Sequence, residues 1–398
     1  MSKILLYLNL IIILFISECK KEEKPITQAP IRQKSAYSVI GDSVRLRETP
    51  NPNGKVIQVL KNATEVNIIE IANNKREFIE MKDGKNLPGY WMKVQLISNQ
   101  SGWIFSPYVG LNIGGSGKGI ITFIYPNNGN EFSGKVIATL TDGSVREILT
   151  PTGDLLLPKE IPSIEMHILN DLGKIVGKAN SLKFSKEHNR NEAWSCSESI
   201  MVKGNLKLYE PYDNKKVLIG VLGSEIENRK GNLTLLKEIL PMNKSLIISD
   251  TRNVFSKSSS YEYYRYQNQN FYCKDSENCS FTSLHWDAED KIIISTLKAE
   301  REKKSIEENN VENPLRPISA FRIDQIENGR IKNLIFSEHF TGGDGTETEY
   351  LLAITDIDNN GILEVWTITH GWEWAYFRIY SLEKNRGILI FSGGYSGC

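Results

Sequence analysis

Val44-Arg45-Leu46-Arg47, Val56-Ile57-Gln58-Val59-Leu60, Val66-Asn67-Ile68-Ile69-Glu70-Ile71 and Tyr90-Trp91-Met92-Lys93-Val94-Gln95-Leu96, closed by Ser101-Gly102-Trp103-Ile104, decide the fold of this chain. The first and fourth alternate apolar and polar residues at the period of two expected of a half-buried strand. Between the first two lies Glu48-Thr49-Pro50-Asn51-Pro52-Asn53-Gly54, a loop of turn-forming residues. Short strands separated by turn signals at this spacing argue a small barrel over residues 37–111.

The order Val44-Arg45-Leu46-Arg47, Lys55-Val56-Ile57, Trp91-Met92-Lys93-Val94 and Gly102-Trp103-Ile104 resembles the bacterial SH3 domain. That family opens with a strand reading VNVRSGPS and ends with GWV, a short turn and YL. Ser106-Pro107-Tyr108-Val109 stands in the last place here. The chain departs from the pattern with Arg-Glu-Thr-Pro in the first loop and with an insertion around Asp83 to Pro88. The resemblance implies a module that binds cell-wall peptide or glycan, or packs on a partner domain. It makes Trp103 and Tyr108 the candidate ligand-binding residues, because aromatic rings offer contact area with little entropy to lose. Trp91 is read as core.

Gly114-Gly115-Ser116-Gly117-Lys118-Gly119 is a joint by composition. Lys118 is followed by Gly119 rather than Ser or Thr, so it is not a phosphate loop. Residues 118–186 are read as an Ig-like β-sandwich, with strands at Val136 to Leu140, Val145 to Leu149, Leu155 to Leu157 and Ile164 to Leu169. Residues 192–398 are read as a β-rich C-terminal domain. There Trp372, Trp374 and Tyr376 alternate onto one face, an arrangement more often used for packing than for sugars. The expected fold class is mainly β and multidomain: an SH3-like barrel, an Ig-like sandwich and a β-rich C-terminal domain.

The N-terminus sets the compartment. Ile4 to Ile16 is an apolar run of thirteen residues. As a helix it would span about 20 Å against the roughly 30 Å of a hydrocarbon core. It therefore reads as the core of a signal peptide over residues 1–19. Ile16-Ser17-Glu18-Cys19 resembles a bacterial lipobox, with Ile16 where the family prefers Leu and Glu18 where it has a small residue. That implies lipidation of Cys19, a membrane anchor and a place in the cell envelope. Residues 20–36 are polar and read as a flexible tether. The four other cysteines, Cys196, Cys273, Cys279 and Cys398, are an even number that suits two disulfides in an oxidising compartment. Cys273 with Cys279, and Cys196 with Cys398, is one of three pairings.

Asp356-Ile357-Asp358-Asn359-Asn360-Gly361-Ile362-Leu363-Glu364 supplies oxygens at the first, third, fifth and ninth places and a Gly for the turn. Asp356, Asp358, Asn360 and Glu364 are thus a candidate calcium set. The segment resembles the Asp-rich hairpin loops of FG-GAP and VCBS-type repeats, in a single copy. The other reading is a hairpin whose Asx side chains cap their own turn. No other cofactor is expected.

Trp194-Ser195-Cys196-Ser197-Glu198 superficially resembles the D-C-S-G opening of cell-wall cysteine peptidases. That alternative uses Cys196 and His285. It lacks the Gly and apolar helix that would lower a thiol pKa, and no zinc or serine-hydrolase motif is present. No catalytic residue is therefore assigned. Lys plus Arg equals Asp plus Glu at 48 each, which argues against a nucleic-acid partner. The expectation is a non-catalytic, lipid-anchored envelope protein that binds cell wall or a protein.

Overall fold

The computed structural model describes residues 37–72, 77–80, 86–112, 118–127, 130–141, 144–146, 165–188, 198–213, 216–223, 234–236, 239–257, 279–286, 290–298, 318–340, 347–357, 361–371, 374–383 and 386–397. Among these, the chain is mainly antiparallel β, in several sheets. Cys19, Cys196, Cys273, Cys398, Asp358, Asn360 and Trp372 lie outside the described residues.

The first sheet is the barrel. Its strands are β1 (Tyr37–Val39), β2 (Val44–Arg47), β3 (Val56–Leu60), β4 (Glu65–Ile71), β7 (Trp91–Leu96), β8 (Ser101–Phe105) and β9 (Val109–Leu111). They run in the order β3-β2-β8-β7-β4-β1-β9. Alternation does the sorting: Val44 and Leu46 are buried, while Arg45 is exposed and Arg47 partly so. Gly102 is demanded by close approach, since a Cβ there would lie 2.7 Å from Leu46 Cγ and 2.8 Å from the Arg47 carbonyl oxygen. The insertion folds as a hairpin, β5 (Glu77–Glu80) with β6 (Asn86–Gly89). Its end presses on the sheet, because a Cβ at Gly89 would meet Pro107 Cδ at 2.6 Å and Phe105 Cζ at 2.8 Å.

The next strands are β10 (Lys118–Pro126), β11 (Glu131–Thr141), β12 (Ser144–Arg146), β13 (Met166–Leu169), β14 (Ile175–His188), β15 (Glu198–Leu208) and β16 (Leu218–Leu222). Their order is β10-β16-β13-β14-β15-β11-β12, and β10 also pairs with β11. Six strands therefore close a ring. This differs from the sandwich expected at 118–186. The ring takes in β15 and β16, which lie beyond residue 186, and β14 pairs with β15 from His188↔Glu198 onward. Closure satisfies the backbone at both edges, which an open pair of small sheets would not. The run Ile120-Ile121-Thr122-Phe123-Ile124 is continuous because both faces are buried. Ile120 and Ile124 fill the ring, while Ile121 and Phe123 face the first barrel and the last sheet.

Two further sheets follow. One joins β17 (Thr234–Leu236), β18 (Cys279–Trp286), β19 (Asp290–Lys298), β20 (Ile318–Glu327) and β21 (Arg330–Phe340); the other joins β22 (Thr348–Thr355), β23 (Leu363–His370), β24 (Trp374–Glu383) and β25 (Arg386–Gly397). They pack face to face through Leu284, Ile292, Ile294, Phe321 and Ile323 against Ile354, Leu363, Val365, Tyr380 and Leu382. The helix α1 (Pro241–Lys257) covers the other face of the first of these sheets through Ile247 and Phe255. Arg322, fully buried, ties it down. The guanidinium donates to Asp324 at 2.8 and 3.1 Å, to Asp250 at 2.7 Å and to Thr251 Oγ1 at 2.8 Å.

The three parts share one hydrophobic core, which runs from the barrel through the outside of the ring to Trp366, Phe377 and Ile388 of the last sheet. Polar contacts cross the same seam. Tyr37 O–H bonds with Ser381 Oγ at 2.8 Å and donates to Glu383 at 3.0 Å. Arg386 donates to the Ile68 carbonyl at 2.8 Å, and Ser38 hydrogen-bonds Ser144. These cross-seam contacts come from β1 and β4, and Asn62 after β3 also meets Arg146 of β12.

Candidate functional site on the barrel face

Strand register lays one row of side chains across the outer face of the barrel. Val56 of β3 faces Arg47 of β2, Arg47 faces Trp103 of β8, Trp103 faces Lys93 of β7, and Lys93 faces Glu70 of β4. Directly opposed residues of an antiparallel pair share a face. The next row puts Arg45 beside Val59. Trp103 is partly exposed, whereas Trp91 on the same face is 3% exposed and packs on Phe105 with centroids 5.4 Å apart. The row of Trp91 and Phe105 is thus filled and the row of Trp103 stays open.

Two cations, Arg47 and Lys93, flank the indole, and Arg45 lies one row away. Lys93 Nζ stands 5.9 Å from the Trp103 ring centroid and 3.8 Å from Glu70. That exposed pair adds little stability. Arg47 donates to the Gly54 carbonyl at 2.7 Å, which pins the Glu48–Gly54 loop beside the site. Burial lowers the Arg47 pKa, and the like charge of Arg45 lowers it further. An anion placed between the two guanidiniums relieves that repulsion. The face can therefore stack an apolar or ring-shaped group and hold an anionic one. Arg45, Arg47 and Lys93 were not singled out from sequence. Their signal was alternation: Arg45 and Lys93 are polar between buried neighbours, and Arg47 follows buried Leu46.

Tyr108 is placed elsewhere. It ends the 3-10 turn Ser106–Tyr108, accepts the Ile40 N–H on its carbonyl at 2.8 Å and packs against the shared core. Its hydroxyl pKa is raised by burial. Trp103 and Tyr108 thus belong to different parts of the barrel, one on the open face and one at the seam.

At the Asp-rich turn, Asp356 is 7% and Glu364 0% exposed. Glu364 accepts from Thr355 Oγ1 at 2.9 Å and from the Ile357 N–H at 3.0 Å, while Asp356 accepts the Gly361 N–H at 3.3 Å. Both carboxylates close the turn between β22 and β23. Cys279 opens β18 opposite Leu297 and is 7% exposed. His285, six residues later on the same strand, pairs in register with Thr234 and Lys291.

Sequence reading missed a buried charged cluster between the last two sheets. Glu349 is fully buried and accepts from His339 Nε2 at 2.8 Å, Thr367 Oγ1 at 2.6 Å, Arg378 at 2.8 Å and Tyr380 at 2.8 Å. Ser337 Oγ lies 3.1 Å from the same His339 nitrogen and accepts from Arg378 at 2.8 Å. This is not a nucleophile with its base. A nitrogen aimed at an ionised carboxylate carries a proton, so it cannot take one from Ser337. Beside it, two partly exposed members of the aromatic stripe meet: Trp374 lies against Gly371 and stacks on Tyr376 at 5.2 Å and 10°, and Arg378 covers Tyr376 at 4.8 Å.

No curated protein and no solved structure matches this chain. A family model does match the part that carries the open face: residues 42–110 match the bacterial SH3 domain, and the barrel is a domain of that kind.

Proposed function

We propose that this chain is an exported, lipid-anchored envelope protein that binds cell wall without catalysis, through the Trp103 face of its bacterial SH3 barrel. Bacterial SH3 domains are commonly cell-wall-binding modules and occur in extracellular and envelope proteins. One observation carries the reading. The barrel buries one side in the shared core and keeps a partly exposed Trp103, flanked by Arg47 and Lys93, on its open face. An indole beside cations suits the mixed apolar and carboxylate surface of peptidoglycan. In the oxidising compartment of an exported protein, Cys279 is assigned to a disulfide. Cys273 is the partner we assign to it, with Cys196 and Cys398 as the second pair. Lipidation at Cys19 supplies the anchor. Calcium is proposed at Asp356, Asp358, Asn360 and Glu364, supported by the convergence of two carboxylates on that turn.

The test is cosedimentation of the full chain with purified sacculi, with palmitate labelling of wild type and Cys19→Ala cells. Binding lost after muramidase digestion, and label lost only in the variant, supports the proposal. A protein left in the supernatant, or an unlabelled wild type, removes the corresponding half. For calcium, the readout is a melting temperature raised by the ion and returned by a chelator; no shift removes it.

A further inference from the structure

Strand β3 is the terminal strand of the barrel sheet, and among the described residues no strand pairs with its outer edge. Its sequence, Val56-Ile57-Gln58-Val59-Leu60, contains neither charge nor proline. Val56, Ile57 and Val59 are 39%, 37% and 55% exposed. Natural proteins normally blunt such an edge with a charge or a proline within the strand, because unpaired N–H and C=O groups template another strand. Here the strand carries one register shift, at Ile57 opposite Leu46 and Arg47, and its charges stand around it. Lys55 and Lys61 flank it and are exposed, and Arg47 and Arg45 of β2 lie in register with Val56 and Val59. The carboxylates nearby are Asp42 and Glu48, at the two ends of β2, so four cations meet two anions.

We infer that the outer edge of β3 is a docking strand for an extended acidic peptide, which joins the barrel sheet as an added strand. The main chain of β3 supplies directional hydrogen bonds, Val56 and Val59 supply apolar contact, and the surrounding cations select carboxylate side chains over neutral ones. This goes beyond the cell-wall reading: it concerns the edge of the sheet, and it takes a polypeptide whether or not the Trp103 face binds sacculi. The site is salt-sensitive, because its charges are exposed.

The experiment uses the full chain and a short capped peptide alternating valine and glutamate, with a glutamine counterpart. Binding is read by fluorescence anisotropy, and protection of residues 56–60 by amide hydrogen exchange. The glutamate peptide is expected to bind at least about tenfold more tightly than the glutamine one and to slow exchange in β3. Arg45→Glu and Val59→Asp, both at exposed positions, are each expected to weaken it by about tenfold or more. Equal binding of the two peptides, protection outside β3, or no binding overturns the inference. So does β3 protection without peptide in a concentration-dependent dimer, which would give the edge to a second copy of the chain.

Discussion

Replacing Glu349 with Gln preserves its shape and removes its charge. The carboxylate is fully buried and takes donors from His339, Thr367, Arg378 and Tyr380. Burial alone would raise its pKa, but the His339 hydrogen bond and the Arg378 charge overcome burial and bring it from 4.5 down to about 2. That drop corresponds to stability on the order of 3 kcal/mol at neutral pH. A depressed carboxylate contributes fully above 4.5, and the contribution fades as pH falls toward 2. The Gln variant also leaves the Arg378 guanidinium and the His339 ring without their central anion. Breaking a buried pair in this way costs about 3 to 5 kcal/mol. His339 adds an alkaline limb. Burial lowers its pKa, but hydrogen bonds to Glu347 and Glu349 raise it overall. Its contribution is therefore complete below 6.5 and lost as pH rises through the raised value. The assay is urea unfolding of wild type and Glu349→Gln at pH 7, 5 and 3. The expected gap is about 3 to 5 kcal/mol at pH 7, narrowing toward pH 3 as the unfolded carboxylate takes up its proton before the folded one does. A gap under about 1 kcal/mol at pH 7, the scale of an exposed pair, would refute the assignment. A gap that does not change with pH would refute it equally.

Two other substitutions probe the scaffold. Arg322→Met leaves Asp324 charged and buried and is expected to cost about 3 to 5 kcal/mol in denaturant unfolding, part of it recovered by adding Asp324→Asn. Gly102→Ala drives a methyl into Leu46 and the Arg47 carbonyl, so the melting temperature should fall by the equivalent of about 1 to 3 kcal/mol.

The barrel was legible because its strands are short, β2 and β7 alternate, and its segments follow the order of a known family. The segments read from sequence at Val44–Arg47 and Val56–Leu60 are strands with those bounds. The ring was not legible, because its closure depends on β11 meeting β15 and β10 meeting β16 across long stretches of chain. Pairing partners are a tertiary property that single-strand pattern does not encode. Face-to-face packing of two sheets, expected at 118–186, occurs instead in the C-terminal region. Helix α1 was hidden by its buried stripe: Asn243, Ile247, Thr251 and Phe255 recur at a helical spacing, but half of them are polar. Thr251 is buried because it donates to the Ile247 carbonyl at 2.7 Å and receives Arg322. At the site, Trp103 was visible as an aromatic, but the cations that give it chemistry became visible only through register. His339 and Glu349 lie ten residues apart on strands of different sheets, with Arg378 two strands from Glu349, so nothing local joins them.

The most direct test of the barrel face compares sacculus binding by wild type, Trp103→Ala and Lys93→Glu, each first shown to unfold cooperatively near the wild-type temperature. The account expects Trp103→Ala to lose about 1 to 3 kcal/mol of binding, roughly tenfold or more in affinity, and Lys93→Glu to weaken binding most at low salt. Wild-type affinity in a folded Trp103→Ala protein would contradict it and move the cell-wall contact off this face.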